Sequence, residues 1–169
     1  MSVSPSPVGR ECLGEPDAWP VVELDGTRWY VAPVYLAPVS RGEVEALAEA
    51  HGCELPTAAL VDAIWTAADL RLSPNHLTRD YRSPKDMVAY PEQAVAIERE
   101  IARTLDPEGR DSFTLLAGSH KDFARMPDGR VDLYGWHTLR GVPIERGRTS
   151  HGPAYVDYSQ GLRLVRRCP

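Results

Sequence analysis

The sequence is poor in lysine, in cysteine and in long apolar runs, and each shortage excludes a class of protein. Lys85 and Lys121 are the two lysines among 19 basic residues, and the formal net charge is -5. Binding to a phosphate backbone needs a basic patch, and no Lys/Arg run precedes Arg166 and Arg167. We therefore expect no nucleic-acid partner.

The cysteines and the apolar segments bear on redox chemistry and on location. Cys12, Cys53 and Cys168 are widely spaced and form no C-x-x-C pair, which predicts unpaired thiols rather than a disulfide framework or a structural zinc site. No stretch approaches the ~20 apolar residues of a spanning helix, and the first residues lack the apolar core of a signal peptide. We therefore expect a soluble, cytoplasmic protein that does not associate with a membrane.

Length and composition indicate one folded domain. The chain has 169 residues, of which 43% are hydrophobic and 25% are charged, and these are ordinary values for a globular protein. Residues 1–20 hold many prolines and glycines without periodicity, which predicts an irregular arm that is mobile or loosely docked. We expect residues 21–169 to form a single α+β domain.

The first half of that domain is expected to contain a β-hairpin and three helices. Two β-prone runs flank the dipeptide Asp25-Gly26, which is the strongest short hairpin signal available. A capping box formed by Ser40 and Glu43 predicts the start of the first helix. The three helices are predicted from Ser40 to about His51, from Leu55 to about Leu70 and from Pro91 to about Asp106.

The second half changes from a helical to a strand pattern. Short β-prone runs at 112–118, 130–136, 153–158 and 162–166 are separated by glycines. Helices gathered before strands, without βα alternation, favour an α+β fold. In this fold an N-terminal hairpin and about three helices pack on a mainly antiparallel C-terminal sheet. The polar stretch 73–90 is long for a connection and predicts a lid or binding loop.

Three of the five histidines, His120, His137 and His151, fall in the strand-rich half and are the main functional clue. If the chain is extended here, a period of two puts His120 and Asp122 on one face of a strand. The carboxylate could then orient the imidazole and tune its pKa towards neutrality.

His137 is expected to be covered by the rest of the domain. Strand alternation puts it on the same face as Val131 and Leu133, and a covered histidine needs a hydrogen-bond partner. On the second predicted helix, Trp65 is expected in the core and Asp62 in solvent.

The segment 150–164 carries the last candidate residues. If it is extended, Tyr155, Asp157 and Ser159 share one face. Ser159 could be a nucleophile, but no G-x-S-x-G elbow surrounds it. A serine that caps a turn at the end of a strand is the stronger alternative.

Several sequence blocks resemble an uncharacterised bacterial family that carries them in the same order. The resemblance covers most of residues 40–165 and implies no particular activity. At Gln160 the family pattern implies a histidine instead. The blocks are AGSHKD at 117–122, YGWH at 134–137 and YVDYSQGLRLV at 155–165, with LPT at 55–57 and VDAI at 61–64 upstream.

The end of the chain is also similar to the closing motif of L,D-transpeptidases, in which a His-Gly pair precedes a Ser-His-Gly-Cys block ending in arginine. His151-Gly152 and the run 159–163 echo that motif. The nucleophilic cysteine is absent, because Leu162 directly follows Gly161 and Cys168 is too distant to replace it. Acyl transfer by a cysteine is therefore not expected.

Together these features predict a small cofactor-free enzyme that uses His/Asp acid–base chemistry. A hydrolase or acyl-transfer enzyme acting on an amide or ester of a small molecule or peptide fits them best. His120 and His137 should converge on one concave pocket with at least one of His151, Asp157 and Ser159. His137 or His120 is predicted as the base, Asp122 or Asp157 as its orienter, and Ser159 as a possible nucleophile. The predicted substrate-binding residues are Lys121, Trp136, Tyr155, Tyr158 and Arg163, the last as an anchor for a substrate carboxylate.

Two other classes of function stay open. His120, Asp122, His137 and His151 could instead hold a divalent metal ion such as zinc, although no tight ligand spacing such as H-E-x-x-H is present. A non-catalytic domain that binds a small ligand through the 73–90 loop and the aromatic residues Trp136, Tyr155 and Tyr158 is the third possibility.

Overall fold

The computed structural model describes residues 13–77, 89–105, 112–148 and 151–169. In these ranges it has the α+β fold that the sequence predicts. The helices are a short 3-10 helix (Pro16–Ala18), α1 (Val44–Ala50), α2 (Ala58–Ala67) and α3 (Ala89–Leu105). The strands are β1 (Val21–Leu24), β2 (Thr27–Val31), β3 (Leu70–Arg71), β4 (Leu116–Ala117), β5 (Lys121–Arg125), β6 (Val131–His137), β7 (Pro143–Arg146), β8 (Gln160–Gly161) and β9 (Val165–Arg167).

The predicted N-terminal hairpin is confirmed. Asp25 and Gly26 have positive φ angles of 50° and 74°, the conformation of a two-residue hairpin turn. Strands β1 and β2 pair in antiparallel register from Val21 opposite Tyr30 onwards, and β9 adds to β2 to give a three-stranded antiparallel sheet. The two ends of the described chain therefore meet in one sheet.

The three predicted helices are present, with shifted ends. Helix α1 begins at Val44, later than predicted, because the Ser40 hydroxyl donates to the Glu43 carboxylate at 2.5 Å instead of capping a main-chain amide. Helix α2 begins at Ala58 and not at the predicted Leu55, because Thr57 is its N-cap and the Thr57 hydroxyl oxygen accepts the Leu60 amide at 3.1 Å. It ends at Ala67 because the next residues leave to pair in parallel with β4.

The C-terminal strands differ in part from the prediction. A four-stranded sheet has the order β7-β6-β5-β8, with β5 antiparallel to β6 and parallel to β8. The β-prone runs of the sequence did not predict β5 and β7 as separate strands. The strand expected at 153–158 was wrong, because that segment forms turns before β8. Helix α2 packs on this sheet through β6 and on the hairpin through β1.

Residues 13–20 were expected to belong to a loosely docked arm, yet they pack into the core. Leu13 and Trp19 are both buried, and the Trp19 indole donates to the Leu13 carbonyl at 2.6 Å. Asp17 forms an ion pair with Arg166 of β9. Residues 1–12, the rest of the predicted arm, lie outside the described residues. Among the helices of the described ranges, none has the length and apolar character needed to cross a bilayer.

Candidate functional site

A groove of about 490 Å³ opens between helix α3, the segment before α1 and the turn that precedes β5. Three tyrosines, Tyr35, Tyr90 and Tyr158, line it together with prolines, alanines and an isoleucine. Its other polar lining residues are Gln93, Glu98 and His120, and no lysine or arginine is among the described residues of its wall. The groove is therefore aromatic and contains one imidazole.

His120 enters this groove from a bend immediately before β5. Its Nδ1 lies 3.0 Å from the Ser119 hydroxyl, and its ring contacts the Tyr35 ring at a centroid distance of 5.4 Å. Loss of hydration and the nearby Arg163 charge lower the pKa of His120 to about 4, against a smaller opposite effect of Asp157. The imidazole is therefore neutral at physiological pH.

Asp122 lies behind Tyr35, on β5. It is 3% exposed, and it accepts a hydrogen bond from the Tyr35 hydroxyl at 3.1 Å. Burial raises the pKa of Asp122 to about 7, although Arg163 and the Tyr35 hydroxyl both act in the opposite direction. The sequence placed His120 and Asp122 on one strand face, but His120 precedes the strand, and Tyr35 is the residue that contacts both.

Arg163 does not reach the groove as the predicted carboxylate anchor would require. Its side chain is fully buried, and its two terminal nitrogens donate to the Ala32 and Leu116 carbonyls at 2.6 and 2.5 Å. The guanidinium lies over the Tyr35 ring, 3.9 Å from its centroid. Arg163 therefore holds Tyr35 and the main chain in place, because its two terminal nitrogens are bonded to core carbonyls. Its buried Nε has no partner within the described ranges.

Asp157 and Ser159 form a local turn. One carboxylate oxygen of Asp157 accepts both the Ser159 amide at 2.8 Å and the Ser159 hydroxyl at 2.7 Å, and both residues are buried. This arrangement is typical of an aspartate that closes a turn on the residue two positions ahead. The Ser159 hydroxyl thus occupies the turn-capping position that the sequence favoured over a nucleophile.

His137 lies in a different environment from His120. It is 3% exposed, its Nε2 lies 2.6 Å from an Asp62 carboxylate oxygen, and its ring stacks on Trp65 at 5.4 Å. The other Asp62 oxygen accepts the Tyr134 hydroxyl at 3.0 Å. The expectation of a covered His137 with a partner is confirmed. Asp62, which was expected in solvent, is half exposed and also contacts the His137 and Tyr134 side chains.

The predicted face of His137 was also wrong, for a backbone reason. Gly135 and Trp136 have positive φ angles of 86° and 50°, which interrupts the alternation along β6. Tyr134 and His137 can therefore both reach Asp62 on α2. Leu133 instead belongs to a hydrophobic cluster that also contains Phe123.

Trp136 and Lys121, two predicted substrate-binding residues, contact each other. The Lys121 ammonium lies 5.0 Å from the Trp136 ring centroid and 3.0 Å from a Glu145 carboxylate oxygen. The His76 ring packs against the same indole at 4.5 Å. Trp136 is 2% exposed, so its indole is covered and does not present an open face.

The remaining predicted residues lie in two further places. His151 is exposed and stacks on Tyr155 at 3.7 Å, in a small pocket that also contains Arg41. Tyr158 lines the groove, and its hydroxyl accepts the Leu77 amide at 3.2 Å. Of the predicted 73–90 loop, residues 78–88 lie outside the described residues, and 89–90 belong to α3.

The structure thus brings together part of the predicted site. His120, Asp122 and Arg163 surround Tyr35, and Asp157 is close enough to influence the pKa of His120. Both His120 and His137 are described residues, and no hydrogen bond or ring contact links them. Sequence analysis missed Tyr35, Gln93 and Ser119. Of these, Ser119 had a detectable signal, its position beside His120.

No group of three or more His, Cys, Asp or Glu side chains within the described ranges is arranged to hold a metal ion. Comparisons of the chain with protein-family models, with curated proteins and with solved structures found no match.

Proposed function

We propose that this chain is a small hydrolase or acyl-transfer enzyme that acts on an amide or ester, with the tyrosine-lined groove as its active site and His120 as its general base. The observation that carries the proposal is the position of His120. It is a neutral imidazole on the wall of a groove, with its Nδ1 engaged by Ser119. Its Nε2 is then the ring nitrogen left for a ligand.

The surrounding residues support a positioning role for the network behind His120. Tyr35 contacts the imidazole on one side and donates to Asp122 on the other, and Arg163 packs on its ring. Strongly shifted pKa values in residues at a groove are typical of functional sites. Here the pKa of His120 is lowered to about 4 and that of Asp122 is raised to about 7.

The proposed reaction uses one water molecule or acceptor alcohol. The Nδ1–H group of His120 donates a hydrogen bond to the Ser119 hydroxyl. The His120 Nε2 accepts a proton from the water or alcohol, and the oxygen of the water or alcohol forms a bond to the carbonyl carbon. The carbonyl π electrons move to oxygen, then return as the bond to the leaving group breaks. The leaving alkoxide or amine takes the proton from Nε2, which restores the neutral imidazole.

Hydrolysis of 4-nitrophenyl acetate by the purified chain tests the assignment. His120→Asn keeps a polar group near Ser119 but removes the base, so kcat/KM should fall by roughly a hundredfold or more. Far-UV circular dichroism of the variant should match that of the unmodified chain. Unchanged hydrolysis in His120→Asn would exclude His120 as the base.

His137 is a second candidate base, because its Nε2 lies 2.6 Å from an Asp62 carboxylate oxygen that can orient the ring. It supports the same reaction class with a different base. His137→Asn and His120→Asn should therefore be measured side by side. Loss of hydrolysis in the His137 variant alone would move the active site to the α2 side of the sheet.

A further inference from the structure

Gln93, in the first turns of helix α3, carries a buried donor that no described residue pairs with. The residue lines the groove and is 2% exposed. Its Oε1 accepts a hydrogen bond from the Asn75 side chain at 2.9 Å. Its Nε2 has no hydrogen-bond partner among the described residues. A buried unpaired donor costs about 1–3 kcal/mol, so such a group in a groove wall calls for an acceptor that a ligand can supply.

The charges around the groove indicate which kind of acceptor it would be. Glu98 lines the groove, and the Asp157 charge raises the pKa of Tyr90 on the same wall, after the larger effect of burial. The nearby cation, Arg163, lies behind the Tyr35 ring with its terminal nitrogens bonded to carbonyls. A ligand carboxylate would thus lose its hydration without gaining a cationic partner, which is costly.

We propose that Gln93 binds the carbonyl oxygen of an uncharged aromatic amide or ester, with its Nε2–H as the donor. The ligand's aromatic part would pack among Tyr35, Tyr90 and Tyr158. This inference rests on the proposed function, because it places the reacting carbonyl in the same groove as His120. The inference adds a substrate class, uncharged aromatic amides or esters without a carboxylate near the carbonyl. It also names Gln93 as the residue that selects this class.

Binding of a matched pair of probes tests this inference without any turnover. N-benzoylglycinamide and N-benzoylglycine share one skeleton and differ in the charge of one end. Isothermal titration or ligand-detected NMR with the full chain should show the uncharged amide binding at least about tenfold more tightly, a difference of about 1.4 kcal/mol. Equal binding, tighter binding of the carboxylate, or no binding of the amide would overturn the proposed substrate class.

Variants of Gln93 test its role as the donor. Gln93→Met keeps the length of the side chain and removes the amide, so the dissociation constant of N-benzoylglycinamide should rise about tenfold. Gln93→Glu keeps an acceptor for Asn75 and removes the donor, which provides a second test if the methionine variant is poorly folded. Val95→Ala, at an exposed position of the same helix outside the groove, is the matched control and should bind as the unmodified chain does.

Failure of this inference can be told apart from failure of the proposed function. If the amide binds and Gln93→Met weakens it, while His120→Asn hydrolyses esters normally, the binding role of Gln93 stands and the catalytic assignment falls. If His120→Asn abolishes hydrolysis but both Gln93 variants bind and turn over normally, the catalytic assignment stands and Gln93 is not the donor.

Discussion

The Tyr35 hydroxyl donates a hydrogen bond to the buried carboxylate of Asp122 at 3.1 Å, across 87 residues of chain. The pair links the irregular segment before α1 to strand β5, and the Tyr35 ring is held from its other side by Arg163. This contact turns the Tyr35 ring towards His120 and gives the groove its inner wall.

Asp122→Asn should change how stability depends on pH. Burial raises the pKa of Asp122 from 3.8 to about 7, so between these values the folded chain holds a proton that the unfolded chain has lost. This carboxyl therefore makes folding less favourable as the pH rises towards about 7. Asparagine can still accept the Tyr35 hydrogen bond but does not ionise. Relative to the unmodified chain, the variant should gain on the order of 2 kcal/mol in unfolding free energy between about pH 5 and pH 7.

Urea titrations at the two pH values measure this difference. Asp62→Asn, at a half-exposed carboxylate for which no such burial exists, is a suitable comparison. An unchanged pH dependence in Asp122→Asn would mean that Asp122 is already ionised at about pH 5.

The proposed general base predicts an acidic limit to activity. His120 acts as a base in its neutral form, and loss of hydration lowers its pKa to about 4. The kcat/KM for ester hydrolysis should therefore stay level through neutral pH and decrease as the pH falls through about 4. Circular dichroism at each pH separates this decrease from unfolding. A midpoint near 6.5, the ordinary value for histidine, would contradict the proposed environment of His120.

Gly161→Ala should disturb the groove from behind. A Cβ atom at Gly161 would lie 2.9 Å from the His120 Cβ and 3.0 Å from the Tyr35 Cδ1, closer than side chains pack. Overpacking of this kind costs about 1–3 kcal/mol and should displace both rings, so ester hydrolysis and thermal stability should decrease together. Gly152→Ala, where a Cβ meets nothing within 4 Å, is the control. A Gly161 variant as stable and as active as that control would show that the two rings can move without consequence.

Asp62→Ala should destabilise the fold without touching the groove. It leaves the buried His137 Nε2 without its partner, so the unfolding free energy should fall by about 1–3 kcal/mol. Tyr134→Phe removes the other Asp62 contact from a less buried position and should cost less. Hydrolysis should persist in both variants under conditions where they are folded. Its loss in folded Asp62→Ala would favour His137 as the base.

Glu98→Gln should relax the selection against anions. Glu98 is exposed on the groove wall, so its charge should weaken the binding of N-benzoylglycine by about threefold, the size of a surface charge interaction. In a binding titration, Glu98→Gln should bind N-benzoylglycine about threefold more tightly than the unmodified chain does, and its affinity for N-benzoylglycinamide should change less. This gain in affinity should shrink as salt is added, since screening weakens interactions between exposed charges. A gain that salt does not change would contradict an electrostatic origin.

The sequence by itself determined the elements that local chemistry controls. The Asp25-Gly26 turn specified the hairpin, and the opening Leu55-Pro56-Thr57 together with the apolar periodicity after it specified α2. These predictions succeeded because turn geometry and capping depend on residues a few positions apart. The α+β class followed from the order of such elements along the chain.

Only the tertiary structure decided which side chains share a site. Tyr35 and Gln93 carry no motif, and they reach the groove because strand pairing and helix packing bring distant segments together. Burial, which a sequence does not display, placed Arg163 in the core, lowered the pKa of His120 and raised that of Asp122. At β6 two residues with positive φ broke the strand period, so His137 faces α2 and not the side that simple alternation predicts. Long-range packing and backbone conformation, which no local pattern encodes, therefore placed the candidate site.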